Sequence, residues 1–480
     1  MLAVYVILYL ILTVLVGAWA GRMVRQSSDF VNAGRRLPVS INAFAFFALW
    51  FGSETLFGAT SEFVQHGFPG IIEDPFGGAL CLLLFGLFFV RPLYRLNLLT
   101  LGDLFRLRMG HRVELVASIF ILITFLGYIA AQLVALGILL QVVMGLSLAQ
   151  GVWLSAIIVC SYTLIGGMWA VSITDFVQSI LIIGGLLWLS IVMWGKIESL
   201  PALISNVPER FYSLAPEQFK LSDILTWLAA WMALGLGSIP SQDIFQRMNA
   251  AKSESVAVKS TFLGAGLYLV MAMLPLFIVL AAKQLYPELL QGDLQQILPQ
   301  VVIQHGGLPL QVIFFGALIS AIFSTCSGAI LAPASILSEN IIKPLWKTSL
   351  SDKQFLLILR LSVVVMTAAS LTLALGKSNV YELVGESSVL GLVSLLVPMM
   401  AAIWDKKASA FGAILSMCCG MGAYLVFEYL WYIEGIPSSI LGLFISALAY
   451  MLVRGRQGNL PATTASATSA TSGGTTTTTA

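Results

Sequence analysis

Charged residues are scarce in this chain. Only 10% of its 480 residues are charged, whereas 58% are hydrophobic. Soluble domains carry about 25% charged residues. A chain of this length cannot build a water-exposed surface from so few charges. The composition therefore predicts that much of the surface faces lipid, so the bilayer is the first expected partner.

Cysteine and histidine are also rare, and their positions exclude several kinds of site. The five cysteines lie in apolar runs without a CxxC spacing, which is typical of small buried hydrophobic side chains. The three histidines are scattered at His66, His111 and His305, so we expect no histidine-rich metal site. The net charge of +2 gives no reason to expect a nucleic acid as partner.

Long apolar runs, by contrast, are abundant, and a membrane-spanning helix needs about 20 such residues. We count thirteen candidate spans, numbered from the N-terminus: 2–21, 40–65, 72–95, 114–144, 147–168, 170–194, 222–241, 258–282, 309–337, 355–376, 382–403, 408–430 and 436–453. The first run has no basic residue before it, whereas a signal peptide has one. We therefore predict that it is a retained span.

The basic residues of the loops predict the orientation of the chain. If the N-terminus lies outside, 20 of the 25 basic residues fall in cytoplasmic loops. Loops that face the cytoplasm carry an excess of Lys and Arg. We predict a multi-pass protein of the inner (plasma) membrane, with the N-terminus outside and the C-terminus in the cytoplasm.

The same pattern divides the chain into six segments. They are a peripheral first helix with a cytoplasmic loop (1–39), a first five-helix repeat (40–194), an external loop (195–221), a second five-helix repeat (222–403), two peripheral helices (404–457) and a low-complexity tail (458–480). The tail is rich in Thr, Ala, Ser and Gly and cannot bury a core, so we expect it to be disordered. The long connections 196–221 and 283–308 fit either external lids or plain loops.

Spans 2–6 and 7–11 form two sets of five. Because five is an odd number of membrane crossings, the second set begins on the opposite side of the membrane and is inverted relative to the first. Each set opens with an interrupted span: glycines flank Glu54 in span 2, and span 7 carries the run from Gly235 to Pro240. Paired interruptions of this kind predict an inverted-repeat transporter with its site near the bilayer midplane. The predicted fold is an all-α membrane protein with about thirteen transmembrane helices, a 5+5 inverted-repeat core and broken helices 2 and 7.

Ionisable and polar side chains inside spans are costly in lipid and are therefore candidates for function. Glu54 lies in mid-span, where it fits a substrate or gate contact, or a carboxylate bonded to neighbouring backbone N–H groups. Asp175 begins span 6, where an acid also pairs with the helix dipole. The adjacent hydroxyls of Ser324 and Thr325 in span 9 fit a sodium ion, or they bond back to the preceding helical turn.

Three stretches of the chain resemble the sodium:solute symporter family, over about residues 28–455. The most specific, Tyr162 to Gln178, is similar to the family's YTxxGGxxAVxxTDxxQ run. The others are Gly237 to Arg247 and Ala321 to Ser327, the latter close to the family's AAxMST segment. The resemblance implies a LeuT-type core. It also implies a sodium-coupled symporter, not an enzyme, that imports a small organic solute by alternating access.

The resemblance also implies a set of ligands for Na+, the expected cofactor, while the number of ions and coupling to protons through Asp175 or Glu54 stay open. Carried over by position, the ligands are Ala48 and Phe51 in span 2, through their carbonyls, and Ala321, Ser324 and Thr325 in span 9. Asp175 corresponds to the acid beside this site, which is expected to help hydrate or release the ion. Many members have a smaller aliphatic residue and a serine where this chain has Phe51 and Gly52. The backbone carbonyl of Phe51 can still act as a ligand, because it does not depend on the side chain.

Within the family, the chain most resembles members of the high-affinity choline transporter type. Trp50 and Tyr128 fall on aromatic positions of that subgroup, and Trp231 lies near the interruption of span 7. Aromatic faces bind a quaternary ammonium with ~2 kcal/mol when the pair is desolvated. The predicted substrate site for choline or another amine consists of Glu54 and these three aromatic residues, Trp50, Tyr128 and Trp231. The subgroup's tryptophan after the span 7 proline is Ser241 here, so an amino acid, a sugar or a carboxylate stays open as the solute.

Two other classes of protein are alternatives to a transporter. Some members of the family are fused to signalling domains, so a transporter-like membrane sensor is an alternative, but only the low-complexity tail follows Arg456. A membrane enzyme needs a convergent catalytic set, and the sequence shows no metal-spaced His/Asp cluster and no nucleophile–base pair. The sequence leaves the oligomeric state open.

Overall fold

The computed structural model describes residues 27–205, 207–216, 218–346 and 350–454, with a few positions before residue 27. Most of the predicted span 2–21 and all of the tail 458–480 lie outside the described residues. Over the described part, the regular secondary structure is helical, apart from an isolated bridge between Leu37 and Ala251.

The helices that build the core are numbered here in chain order. They are α1 (Val39–Trp50), α2 (Glu54–His66), α3 (Phe68–Arg95), α4 (Leu101–Met109), α5 (His111–Met144), α6 (Leu148–Leu164), α7 (Gly167–Trp194), α8 (Leu221–Gly237), α9 (Gln242–Ala250), α10 (Glu254–Leu285), α11 (Leu308–Leu345), α12 (Asp352–Ala374), α13 (Val380–Ser394), α14 (Leu396–Trp404), α15 (Ala410–Tyr429) and α16 (Ser438–Val453). Short helices at Ser27–Asn32, Leu200–Ser205 and Ile297–His305 lie in the connections.

Seven of the described helices are long and apolar enough to cross a membrane, and the number is ten if each of three bent pairs counts as one span. The shorter apolar helices α6 and α16 lie at the predicted spans 5 and 13. The other predicted spans from 2 to 12 each coincide with one long helix or one bent pair. The prediction of an all-α, multi-pass membrane protein is confirmed. The number thirteen and the segment boundaries stay predictions.

Three helix pairs meet at sharp bends. The angle is 51° between α1 and α2, 45° between α8 and α9, and 44° between α13 and α14. At the first bend, Phe51 leaves the helical conformation, with φ −86° and ψ 65°. At the second, Pro240 has no N–H with which to continue the helical hydrogen bonds. The first two bends therefore fall within the glycine- and proline-containing interruptions of the predicted spans 2 and 7.

Side-chain caps define where the continuous helices begin. Ser147 and Gln150 form a capping box at the start of α6, and Ser351 and Gln354 form another at the start of α12. Within lipid, backbone polar groups must be satisfied inside the segment itself, so capped apolar runs fold as uninterrupted helices.

Helix α11 lies at the centre of the molecule. In its most apolar 18-residue stretch 94% of the residues are buried, compared with 39–56% in the other six continuous spans. It contacts α1, α5 and α12. The hydroxyl side chains of α11 therefore face other helices, while large apolar residues such as Leu87, Ile191 and Leu263 are exposed on the outer surface, where lipid covers them.

Candidate functional site

The predicted sodium ligands of α1 and α11 lie side by side. The hydroxyl oxygen of Thr325 is 2.7 Å from the carbonyl oxygen of Ala48 and 3.0 Å from that of Ala321. Thr325 is fully buried. The structure thus brings one hydroxyl and two backbone carbonyls together, which are the oxygen types that suit a hard cation.

Phe51, the second predicted carbonyl ligand in span 2, ends α1 at the bend. A Cβ atom on the neighbouring Gly52 would lie 3.0 Å from Cγ2 of Thr325 and 3.1 Å from Oε1 of Gln132. A serine at position 52 would therefore force its neighbours to shift. Glycine lets α11 and α5 approach the bend, which gives a packing reason for the Phe51-Gly52 departure from the family pattern.

Asp175 connects this region to α9, the shorter helix of the second bent pair. The hydroxyl of Ser324 donates a hydrogen bond to one carboxylate oxygen of Asp175. The other oxygen, Oδ2, lies 3.6 Å from Nη2 of Arg247 on α9. Arg247 is fully buried and donates from Nε to the carbonyl of Ala45, at 2.8 Å. Arg247 lies in the second of the three family-like motifs, but its ion pair was not predicted from the sequence.

A cavity lies beside the bend between α1 and α2. Trp50, Glu54 and Tyr128, three of the four predicted substrate residues, line it, and so do Phe125 and Asp243. Among the described residues, the lining holds two carboxylates and no Lys, Arg or His. The walls of the cavity are therefore acidic and aromatic.

Side chains of α5 and of the bend hold the Glu54 carboxylate. Glu54 is 1% exposed, and its Oε2 accepts from Nε2 of Gln132 at 2.9 Å and from the hydroxyl of Ser53 at 3.3 Å. Tyr128 donates to the carbonyl of Leu49 at 2.9 Å. Gln132 was not among the predicted site residues, although it lies four residues after Tyr128 on α5 and so shares its face of the helix.

A second buried acid supports the cavity wall. Asp74, at the start of α3, is 1% exposed and accepts from the hydroxyl of Thr55 at 2.9 Å and from the hydroxyl of Tyr268. The Thr55 oxygen is also 3.1 Å from the carbonyl of Trp50. Asp74 was not a predicted site residue, since it lies near the start of the predicted span 72–95. The contacts show that it belongs to the core behind Trp50.

Trp231, the fourth predicted substrate residue, does not line the cavity. Its ring packs against Phe76 and Trp227, with centroid distances of 6.4 and 6.3 Å. Leu234, almost one turn further along α8, is the residue that lines the cavity. Trp231 belongs to an aromatic group on the side of the cavity that is predicted to be external, a group that also includes Phe68, Phe211 and Tyr212.

Comparison with known proteins relates this arrangement to membrane transporters. The model of the sodium:solute symporter family matches residues 30–420. The high affinity choline transporter 1 of Homo sapiens is 28% identical over 439 residues, which is 87% of this chain and 75% of the relative. The high-affinity proline transporter PutP of Bacillus subtilis (strain 168) is 26% identical over 469 residues, 90% of this chain and 95% of the relative.

Solved structures show the same fold. A Na+-coupled sialic acid symporter in a substrate-bound outward-open state superimposes with a TM-score of 0.80 at 20% identity, over 95% of this chain and 98% of that one. Mhp1, a nucleobase-cation-symport-1 family transporter in a closed conformation, gives a TM-score of 0.59 at 14% identity, over 88% and 93% of the two chains. The described all-helical fold therefore has LeuT-like neighbours.

Proposed function

Because the chain belongs to the sodium:solute symporter family, it is a sodium-coupled symporter of a small solute, and we propose that this solute is an organic amine, with choline as the first candidate. One observation carries the proposal. The central cavity is lined by two carboxylates and three aromatic side chains, and by no cationic side chain among the described residues. Such walls favour a positively charged solute and oppose an anionic one.

The amine is placed against Glu54, with the rings of Trp50 and Tyr128 beside it. Gln132 and Ser53 offer only dipoles to the buried Glu54 carboxylate, and a buried charge is costly without an opposite one. An ammonium group supplies that charge. Each desolvated ring face adds up to ~2 kcal/mol of cation–π attraction, and the name of the human relative indicates a quaternary ammonium as a solute to test first.

An amino acid is the second candidate, and a different observation favours it. The indole nitrogen of Trp50 is buried and has no hydrogen-bond partner among the described residues. A buried donor without an acceptor costs about 1–3 kcal/mol. A zwitterionic solute would place its ammonium against Glu54 and satisfy the indole N–H with its carboxylate. The similarity to a proline transporter supports the same alternative.

The proposed sodium site consists of the carbonyls of Ala48 and Phe51 with Ala321, Ser324 and Thr325, and Asp175 is proposed to assist ion release. In the structure the hydroxyl of Thr325 already contacts two of these carbonyls, and that of Ser324 contacts Asp175. A bound ion would replace the internal hydrogen bonds by ligation. Occupation would thereby fix α11 to the bend of α1 and α2, next to the solute cavity.

The wider architecture is proposed from the sequence pattern and the bends. The pairs α1–α2 and α8–α9 are the broken helices 2 and 7 of a 5+5 inverted repeat, in a chain of about thirteen spans. The N-terminus lies outside the inner membrane and the C-terminus lies in the cytoplasm. Alternating access then opens the cavity to one side at a time, and the external aromatic group that contains Trp231 closes the outer end.

The driving force of one sodium ion is sufficient for import. One charge crossing 100 mV contributes ~2.3 kcal/mol, and a tenfold sodium gradient adds roughly 1.4 kcal/mol. Together they support accumulation of about several hundredfold with one ion per neutral or zwitterionic solute. A cationic solute gains a further contribution from the membrane potential.

A thermal-shift screen of the purified protein tests the proposal. The panel contains amines, amino acids, sugars and carboxylates, each measured in sodium and in potassium at equal ionic strength. We expect an amine to give the largest stabilisation, and to give it in sodium only. Stabilisation by a sugar or an anionic carboxylate, with none by any amine or amino acid, would contradict the proposed solute class.

A further inference from the structure

A cleft unrelated to the solute cavity lies at one end of the last helices. It is lined by Trp404, Asp405, Lys406, Lys407 and Arg454. These residues follow the end of α14 and the end of α16, on the side predicted to be cytoplasmic. Trp404 is 47% exposed at the rim, with its ring packed edge-on against Phe89 at 4.9 Å.

The single acid of this cleft is already paired. Asp405 accepts from Nε and Nη2 of Arg454 at 2.9 and 3.2 Å and from the hydroxyl of Tyr450 at 3.0 Å. Although partial burial opposes it, hydrogen bonds from the Lys407 N–H, Arg454 and Tyr450 lower the pKa of Asp405 below its usual value. Lys406 and Lys407 have no carboxylate partner in the part of the chain that the structure describes.

A fourth cation reaches the cleft from a distant part of the chain. Arg108, near the end of α4, donates from Nε to the carbonyl of Ala402 at 2.7 Å and from Nη2 to the carbonyl of Asp405 at 3.2 Å. Its guanidinium caps the C-terminal end of α14. Three cationic side chains therefore line the cleft with one carboxylate, an excess of two positive charges, and Arg108 adds a fourth cation next to them.

Apolar surface begins directly beside these charges. Phe411 at the start of α15 is 60% exposed, and Met451 and Leu452 near the end of α16 are 68% and 69% exposed. In a membrane protein, exposed apolar helix surface faces lipid tails and a half-exposed tryptophan marks the headgroup level. The cleft thus opens at the height where lipid phosphates lie.

We propose that this cleft binds the phosphate headgroup of an anionic phospholipid, whose acyl chains lie along the exposed apolar surface of α15 and α16. Basic pockets between helix ends attract anionic headgroups, and the attraction falls off within a Debye length of the surface, about 8–10 Å at physiological salt. A general excess of basic residues in cytoplasmic loops does not require Arg108, Lys406, Lys407 and Arg454 to converge. The apolar flank favours a lipid over a soluble phosphate.

Native mass spectrometry of the full chain tests this site. The purified protein is titrated with phosphatidylglycerol and with phosphatidylcholine of the same acyl chains, for wild type and for Lys406→Gln/Lys407→Gln. We expect the wild type to retain phosphatidylglycerol preferentially, and the variant to bind it roughly 10- to 30-fold more weakly. Lys252→Gln/Lys259→Gln removes two exposed charges elsewhere on the predicted cytoplasmic side and is expected to leave binding unchanged.

Three further results of the lipid titration would support or contradict the proposed lipid site. Lys406→Arg/Lys407→Arg keeps the charge and is expected to keep the preference, which separates lost charge from lost folding. Equal weakening in the two glutamine variants, or no lipid preference in the wild type, would overturn the site. Displacement of phosphatidylglycerol by millimolar glycerol phosphate would show a soluble-phosphate site and would also overturn it.

Discussion

Nη2 of Arg247 lies 3.6 Å from Oδ2 of Asp175, and both side chains are fully buried. Neither atom has a hydrogen-bond partner among the described residues. The pair links α9, which lines the solute cavity through Asp243, to the acid that accepts from Ser324 in the proposed sodium site. It is therefore one of the contacts that connect the proposed ion site to the cavity wall.

Removing this cation should strongly destabilise the protein. In Arg247→Gln the Asp175 carboxylate stays buried without a counter-charge, and breaking a buried pair costs about 3–5 kcal/mol. The double variant Arg247→Gln/Asp175→Asn should regain part of that loss, because both charges are gone. Denaturant unfolding of the purified protein measures the difference.

The exposed pair Arg95–Glu254 supplies a matched control. Its atoms approach to 2.8 Å, but Arg95 is largely exposed, and exposed pairs contribute about 0–1 kcal/mol. If Arg247→Gln were no less stable than Arg95→Gln, the buried pair would have no structural importance. If the double variant were no more stable than Arg247→Gln, the pairing of the two charges would be wrong.

Loss of the proposed sodium hydroxyls should weaken ion binding. Ser324→Ala and Thr325→Ala each remove one oxygen of the site, and a hydrogen bond or ligand of this kind is worth about 1.4 kcal/mol, or roughly tenfold in affinity. We expect each variant to raise the sodium concentration for half-maximal stabilisation about tenfold. Sodium titration of thermal stability measures it.

Ser370→Ala is the control for that measurement. Ser370 is buried on α12, and its hydroxyl has no hydrogen-bond partner in the described structure. Its removal should leave the sodium titration as in the wild type. An unchanged sodium requirement in both Ser324→Ala and Thr325→Ala would remove the basis of the site assignment.

Local patterns in the sequence predicted the spans and much of the cavity, because both depend on neighbouring residues. An apolar run of sufficient length must fold as a helix in lipid, and Trp50 and Glu54 are four residues apart on one predicted helix. The contacts that were missed join distant segments. Asp74 meets Tyr268, and Asp175 meets Arg247, only after the helices pack, and no periodicity encodes such pairs.

The position of Trp231 in the chain was predicted, but the direction of its side chain was not. Its proximity to the span 7 interruption was read correctly from the sequence, but its side chain points to Phe76 and Trp227 rather than into the cavity lining. The side of a helix that faces a cavity depends on how the bent pair is rotated against α3. That rotation is set by packing across helices and is absent from the local pattern.

Gly67 should determine how closely the segment 207–216, in the connection that is predicted to be external, packs against the end of α2. Gly67 has φ +68°, and a Cβ there would lie 2.2 Å from the carbonyl oxygen of Phe211. Gly67→Ala should therefore displace the segment 207–216, whose Phe211 ring packs on Phe63 at 5.0 Å. We expect faster tryptic cleavage after Arg210 than in the wild type, at unchanged expression.

Gly292→Ala is the matched control, since a Cβ there meets nothing closer than 4.0 Å. Its cleavage rate should equal that of the wild type. Equal rates for Gly67→Ala and Gly292→Ala would show that the segment is not held by this contact, and would favour a plain loop over a lid.

The predicted orientation can be read from labelling of single cysteines in a cysteine-free background. Ser469→Cys, in the tail, should react with an impermeant maleimide only after the inner membrane is permeabilised, because 20 of the 25 basic residues fall on that side. Ser199→Cys, in the predicted external loop, should react in intact cells. The reverse pattern would invert the topology.

The most direct measurement is equilibrium binding of radiolabelled choline, or of the amine that stabilises the protein most, with and without sodium. We expect sodium-dependent binding that Glu54→Gln weakens more than about 30-fold, as is typical when one partner of a buried charge pair is lost. Trp50→Phe should weaken it moderately. Glu62→Gln, near the C-terminal end of α2, should have little effect. If Glu54→Gln and Trp50→Phe leave solute affinity unchanged while sodium affinity stays normal, the solute binds elsewhere and the central claim is wrong.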